Sequence, residues 1–315
     1  MVSLSTLNSE MKRFLRVTLG LVLLFAVCSF TYDGVVLWLM RRSPSCNAVK
    51  IERAVQGGQG ERAAIFGSSR ALGNYVPSIF GEETFNYGVN GMSINEAIEL
   101  VVFYLEKNQS DSTVIINVDP WGEGSAQGKF VLRGDYTLVA TDKHIRESMP
   151  GLSLSWSEWM PGLRFQGMLR SVFAQYMNAK KSVTKKIEKG AELLMSTRTQ
   201  TEWAVIKKDL KEYSFVDLSD RQLERLYANQ GNHRIVWAVA PTCRDHHDKL
   251  KNPDSLKNFL VRQASRSNVL TVNCFDQTVD YPDSFFADPT HLNIDGAKKF
   301  TGSLMLELNT IINEK

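Results

Sequence analysis

Hydrophobic positions along the chain follow three patterns in turn. The first is a continuous apolar block. Lys12, Arg13 and Arg16 precede Val17 to Tyr32, which carry no charge, and after Asp33 a second apolar run, Gly34 to Met40, ends at Arg41 and Arg42. At about 1.5 Å per residue the first run reaches roughly 24 Å, and the second adds enough to span a bilayer. A cleaved signal peptide begins the same way. No small-x-small cleavage site follows, however, and Val27 before Cys28 fits a lipoprotein site poorly. Residues 1–42 therefore read as an uncleaved signal anchor. Arg41, Arg42 and Lys50 balance the three upstream cations, so the positive-inside rule leaves orientation open. Asp33 is expected near the outer headgroups or against a polar partner in the membrane. Residues 43–60, with Pro44 and Gly57-Gly58-Gln59-Gly60, read as a linker.

The second pattern alternates short apolar runs with amphipathic stretches. Ala63–Phe66, Thr84–Val89, Thr113–Val118, Ile235–Ala240 and Val269–Val272 read as strands. Ile94, Ile98, Val101 and Leu105 form a helical stripe, and a second helix fits Leu250–Gln263. The last helix places Ile294, Ala297, Phe300, Leu304, Leu308 and Ile311 on one face, behind the candidate N-cap Asn293. Short apolar strands separated by such helices describe a parallel sheet covered on both faces. Sites in that architecture lie at the carboxyl ends of strands, near the switch in strand order.

The third pattern is an interruption. Between Trp121 and Gly231 the alternation stops, leaving a mostly helical insertion at about 121–231 that reads as a lid or docking surface. It holds Trp121, Trp156, Trp159 and Trp203, and the cluster Lys180, Lys181, Lys185, Lys186 and Lys189. Residues 161–200 carry eight Lys/Arg against two Glu. Those cations form either a solvated face or a surface attracted to anionic headgroups or an anionic polymer.

Composition refines this only a little. Hydrophobic residues at 43% and charged residues at 23% describe a globular chain, and a net charge of +3 gives no reason to expect a nucleic-acid partner. Four cysteines (Cys28, Cys46, Cys243, Cys274) include no C-x-x-C pair, which excludes a zinc ribbon or a disulfide miniprotein. No metal or other cofactor is expected. Cys243 and Cys274 each follow a strand, so a bridge between them and two separate buried thiols both remain open.

Candidate chemistry sits at two strand ends. Ile65-Phe66-Gly67-Ser68-Ser69-Arg70 is a strand ending in glycine and hydroxyl residues before a helix, where a serine can project while backbone N–H groups face an incoming oxyanion. Ala287-Asp288-Pro289-Thr290-His291-Leu292-Asn293 precedes the last helix. Asp and His three apart in a turn can pair through Nδ1, leaving Nε2 as a general base. Each motif alone is commonplace: a capping serine, a turn aspartate, a surface imidazole. Together, on loops that open on the same sheet edge, they supply the three roles of a Ser-His-Asp triad without a G-x-S-x-G elbow.

In these blocks the sequence resembles the SGNH (GDSL-like) hydrolase superfamily, over Ala63 to about Asp119 and Arg234 to the C-terminus. The resemblance implies a flavodoxin-like three-layer α/β/α sandwich. It also implies Ser69 as nucleophile, Asp288 and His291 as its partners, and Gly91 of Asn86-Tyr87-Gly88-Val89-Asn90-Gly91 as an oxyanion donor beside the Ser69 N–H. The third block departs. Ile115-Ile116-Asn117-Val118-Asp119-Pro120-Trp121 places Asp119 where the family has a donor asparagine, and a carboxylate only accepts. Asn117 replaces that donor only in a shifted register. Arg70, Asp119 and Trp121 are candidate substrate-binding residues. With its anchor the chain looks like the D-alanyl transfer protein of teichoic acids and the partners of membrane-bound O-acyltransferases in exopolysaccharide acetylation. That implies an esterase or O-acyltransferase acting on envelope or extracellular polysaccharide, with its catalytic domain extracytoplasmic (periplasmic) and a membrane-bound O-acyltransferase as a candidate partner. The alternative is a catalytically weakened scaffold that binds polysaccharide or such an acyltransferase. Asp245-His246-His247-Asp248 reads as a solvated loop, Asn108-Gln109-Ser110 as an uninformative sequon, and Tyr87 and Trp121 as either pocket walls or core.

Overall fold

The computed structural model describes residues 9–43, 46–121, 133–149, 162, 164–165, 168–181, 185–195 and 200–313. Its main sheet has five parallel strands in the order β2-β1-β3-β6-β7. These are β1 (Ala63–Phe66), β2 (Thr84–Asn86), β3 (Thr113–Asn117), β6 (Arg234–Val239) and β7 (Val269–Asn273). Strand order reverses at β1, whose neighbours are β2 and β3, and the switch crevice opens beyond their carboxyl ends.

Both sheet faces are covered because the strands alternate between two apolar clusters. Ala64, Phe66, Val114, Ile116, Ile235, Trp237 and Val239 point to one face, and Ile65, Ile115, Val236 and Ala238 to the other. The first face packs against α2 (Asn47–Val55), α5 (Ile94–Lys107), α9 (Asp220–Ala228) and α11 (Pro253–Ala264). The second packs against α3 (Ser69–Asn74) and α12 (Ile294–Asn313), with the short α4 (Pro77–Phe80) beside them. This is a three-layer α/β/α sandwich. Helix starts follow their capping chemistry. Ser93 and Glu96 form a reciprocal capping box at α5, and Asn293 Oδ1 accepts from the Asp295 and Gly296 N–H groups at α12.

Helix α1 (Ser9–Arg42) runs without a break through Asp33, about 51 Å at 1.5 Å per residue. It is long and apolar enough to cross a membrane. Phe14 to Phe30 expose their apolar side chains, whereas Val36, Leu39 and Met40 are buried against Phe165 and Val172. The upper part of the helix is thus docked on the domain, with Tyr32 donating to the Phe165 carbonyl. Gly162, at φ +83°, comes so near Ser29 that an added Cβ would lie 2.7 Å from the serine side chain.

One expectation fails here, and the mostly helical insertion holds a hairpin as well. The stretch 43–60 is no tether: it contains α2, whose Ala48, Ile51 and Ala54 are buried. Its glycines lie beyond the helix end, where Gly57 and Gly58 take positive φ and allow the chain to turn into β1. The insertion holds α6 (Lys143–Ser148), α7 (Met168–Lys181), α8 (Gln200–Lys208) and α9, but also an antiparallel hairpin, β4 (Lys185–Glu188) and β5 (Ala191–Leu194). Period-2 burial of Ala191 and Leu193 marks β5, and the tight Lys189-Gly190 turn closes it. The hairpin packs on α3, and its lysines are paired on its surface: Lys185 with Glu192, Lys186 with Glu188, Lys189 with Glu82. The side chains of Lys180 and Lys181, like Trp156 and Trp159, lie outside the described residues. Short α10 (Arg244–His247) completes the helices described.

Candidate active site

Gly67 makes the first turn possible. Its φ of +141° is left-handed territory, and a Cβ there would lie 3.0 Å from Ala71 Cβ and 3.1 Å from Asn117 Cβ. The chain can therefore leave β1 sharply, with Ser68 capping α3 by accepting from the Arg70 N–H at 3.2 Å, and Ser69 occupying the first helical position. On the opposite side of the crevice, Asp288 shapes its own turn. Its Oδ1 accepts from the Thr290 N–H at 2.9 Å, the Thr290 hydroxyl at 3.0 Å and the His291 N–H at 3.0 Å.

These two turns meet. His291 Nδ1 lies 3.0 and 2.9 Å from the Asp288 carboxylate oxygens, and Nε2 lies 2.8 Å from Ser69 Oγ. Burial alone would raise the Asp288 carboxyl, but the hydrogen bond and charge of His291 and the Thr290 donors together hold it well below the usual carboxylate range. The His loop is fastened to α3 by the Leu292 N–H donating to Asn74 Oδ1 at 2.9 Å. Gly91, at φ +77°, stands beside Ser69, and no hydrogen bond among the described residues engages the N–H of either.

Two cavities meet at Ser69. One, of about 220 Å³, is lined by Gly91, Asp119, Trp121, Phe215 and Phe259 as well as Ser69. The other, a more open groove of about 390 Å³, is lined by His291, Asp288, Asn47, Lys185 and Glu192. No protein-family model and no curated protein matches the chain. A solved structure described as "a putative platelet activating factor from Streptococcus pneumonia" is similar at 11% identity and a TM-score of 0.41, over 88% of this chain and 98% of that one. That likeness is too slight to carry an argument. The site must speak for itself.

Arg70, expected to touch substrate, is wholly buried and lines neither cavity. Its guanidinium sits under the crevice, donating to the carbonyls of Thr290 (3.2 Å), Pro241 (3.0 Å) and Ala240, and lying 3.5 Å from Asp119 Oδ1. It ties together the carboxyl ends of β1, β3 and β6 and the His loop. Asn117, the alternative oxyanion donor, also lines neither cavity. Its Nδ2 donates to Asp119 Oδ1 at 2.9 Å and its Oδ1 accepts from the Tyr75 hydroxyl at 3.0 Å. The strand's pleat points it beneath the sheet edge instead of at Ser69.

Trp121 walls the smaller cavity, with Arg70 4.9 Å from its ring centre and His246 4.8 Å away, edge-on. His246 is no solvated loop residue. It is buried, stacked on Tyr213, and pulled down to about 4 by burial and then by the Arg70 charge. Tyr87 belongs to the core, stacked on Phe66. Asn108 of the sequon is buried against the Tyr104 hydroxyl, and Cys243 and Cys274 are free buried thiols. Sequence reasoning missed Asn47, Lys185, Glu192, Phe215 and Phe259, because they come from α2, the hairpin, the insertion's end and α11, which no local motif connects.

Proposed function

We propose that this chain is a membrane-anchored serine esterase or O-acyltransferase of SGNH type, acting on acyl esters of envelope or extracellular polysaccharide. The observation that carries the reading is the hydrogen-bonded chain Ser69 Oγ–His291–Asp288 at the meeting point of two cavities. Ser69 Oγ attacks the ester carbon while Nε2 of His291 takes its proton. Asp288, held ionised, accepts from Nδ1–H and stabilises the imidazolium. The N–H groups of Ser69 and Gly91 receive the oxyanion. His291 then returns the proton to the departing alkoxide, and water or a sugar hydroxyl resolves the acyl-enzyme. In this reading α1 spans the membrane and the catalytic domain is extracytoplasmic, beside a membrane-bound O-acyltransferase. An alkaline phosphatase fusion after Lys315 checks that topology; an inactive fusion beside an active cytosolic reporter reverses it.

Asp119 favours a second reading, a weakened scaffold, since losing one oxyanion donor typically costs about 10²–10³ in rate. Labelling by a serine-directed fluorophosphonate separates the two. The enzyme reading expects labelling of the full-length protein that disappears in Ser69→Ala. Labelling that persists in that variant removes Ser69 as nucleophile, and unchanged polymer acylation in cells carrying Ser69→Ala or His291→Ala supports the scaffold.

A further inference from the structure

Ser69 is shared by both cavities, but its partners are not. His291 and Asp288 line the open groove alone, whereas Gly91 lines the smaller cavity and not the groove. An acid that protonates the leaving alkoxide must face that oxygen, so the alcohol half of the ester belongs in the groove. Its walls there carry the polar Asn47, Lys185 and Glu192 beside Leu72 and Leu194, and suit a hydroxylated alcohol. The acyl half then fills the cavity of about 220 Å³ behind Gly91, against Phe215, Phe259 and Trp121.

Beside the polar Ser68, Asn90 and Ser93, that cavity holds one charged group, Asp119, which suits a plain hydrocarbon least. Both of Asp119's partners, Asn117 Nδ2 and the Arg70 guanidinium, go to Oδ1. Oδ2 has no partner among the described residues, and the side chain keeps 17% exposure at the cavity wall. A carboxylate oxygen only accepts, and an aliphatic chain laid against it would strip its water without replacing it. The incoming acyl group must therefore bring a donor. That donor is neutral, because Arg70 already compensates the carboxylate's charge and a second cation would sit close to a buried guanidinium.

We propose that Asp119 is the specificity-determining residue of an acyl subsite, and that the group transferred is a short hydroxyacyl whose hydroxyl donates to Asp119 Oδ2. The proposal rests on the Ser69 reading above. It also gives the departure in the third block a purpose: the position that lost an oxyanion donor gained an acceptor for the acyl chain.

The test uses the full-length protein in detergent and matched p-nitrophenyl esters: 2-hydroxybutyrate against 2-methylbutyrate, and 3-hydroxybutyrate against 3-methylbutyrate. At least one hydroxyacyl ester should lead its methyl counterpart about tenfold to a hundredfold in kcat/KM, the span of a hydrogen bond to a charged group. Because the preference is a ratio within one protein, a general loss of rate in a variant does not disturb it. Asp119→Leu should abolish the ratio, and Asp119→Asn, whose amide oxygen still accepts, should keep part of it; the second variant serves if the first does not fold. Equal rates for both pairs, or a ratio unchanged in Asp119→Leu, overturns the proposal. A 2-aminobutyrate ester that outruns every hydroxyacyl ester overturns the charge argument. Absence of fluorophosphonate labelling at Ser69 refutes the catalytic reading instead. In that case saturation-transfer NMR of the same unreacted esters still decides the subsite: equal binding of hydroxy and methyl partners overturns it.

Discussion

Replacing Arg70 by Met should destabilise this protein severely although the side chain lines neither cavity. The guanidinium is wholly buried and holds three backbone carbonyls and one carboxylate oxygen, from Thr290, Ala240, Pro241 and Asp119. Met fills much of the volume but donates nothing, so three carbonyls lose their donor together and the partly buried carboxylate keeps only Asn117 Nδ2. Each orphaned group costs on the order of 1–3 kcal/mol, and removing one partner of a buried pair costs about 3–5 kcal/mol. Water entering from the cavity beside Asp119 relieves the carboxylate, which favours the range of about 3–5 over the larger sum. For a domain of this size that is a drop in Tm of roughly 6–20 °C. Near-UV circular dichroism on heating detergent-purified protein measures it, with fluorophosphonate labelling at low temperature read alongside. Arg70→Lys should fall between, since one ammonium cannot reach all four acceptors. An Arg70→Met protein melting within about 2 °C of the parent would refute the claim that this residue ties the strand ends together.

Three further outcomes follow from the same geometry. Asp288 is held below the usual carboxylate range, so the stability its charge contributes is present above about pH 4 and lost as the pH falls through its folded value. The stability gap between the parent and Asp288→Asn, from urea titrations, should therefore be full at pH 5–7 and narrow on acidification; a gap that widens contradicts the assignment. Burial pulls Lys50 down to about 7, against a smaller opposing pull from Glu192, while its ammonium or amine donates to the Gly88 and Gly190 carbonyls. The unfolded chain then holds more protons between about pH 7 and 10, stability from this group rises across that window, and the rise should be missing in Lys50→Met. Gly190→Ala places a Cβ 2.2 Å from the Asn86 carbonyl at a φ of +87°, which should cost about 1–3 kcal/mol and slow labelling of Ser69 by displacing the hairpin; an unchanged Tm would show that the hairpin is not held there.

The elements that proved legible in the sequence are those with local causes. A charge-free run of helical length, apolar strands buried on both faces, the helical stripe from Ile94 to Leu105 and an amphipathic last helix each declare themselves within fewer than twenty residues. So do the two turns, because Gly67 must be glycine to leave β1 and Asp288 needs only its next three residues to shape its loop. Their meeting, with His291 Nε2 at 2.8 Å from Ser69 Oγ, is a matter of strand order across 222 positions, decided when β6 and β7 pair beyond β3. Tertiary structure alone decided the rest. The glycines of 57–60 suggested a flexible tether, yet burial of Ala48, Ile51 and Ala54 beside α5 outweighs local flexibility and makes the preceding segment a packed helix. Arg70 reads from sequence as a substrate contact and Asn117 as an oxyanion donor in a shifted register, but the pleat and the sheet edge turn both inward, where unpaired carbonyls and Asp119 claim their donors first. The lysines of the hairpin are cationic in composition and paired in space. Periodicity fixes which face of an element is apolar; only packing determines which polar groups, left without water, find each other.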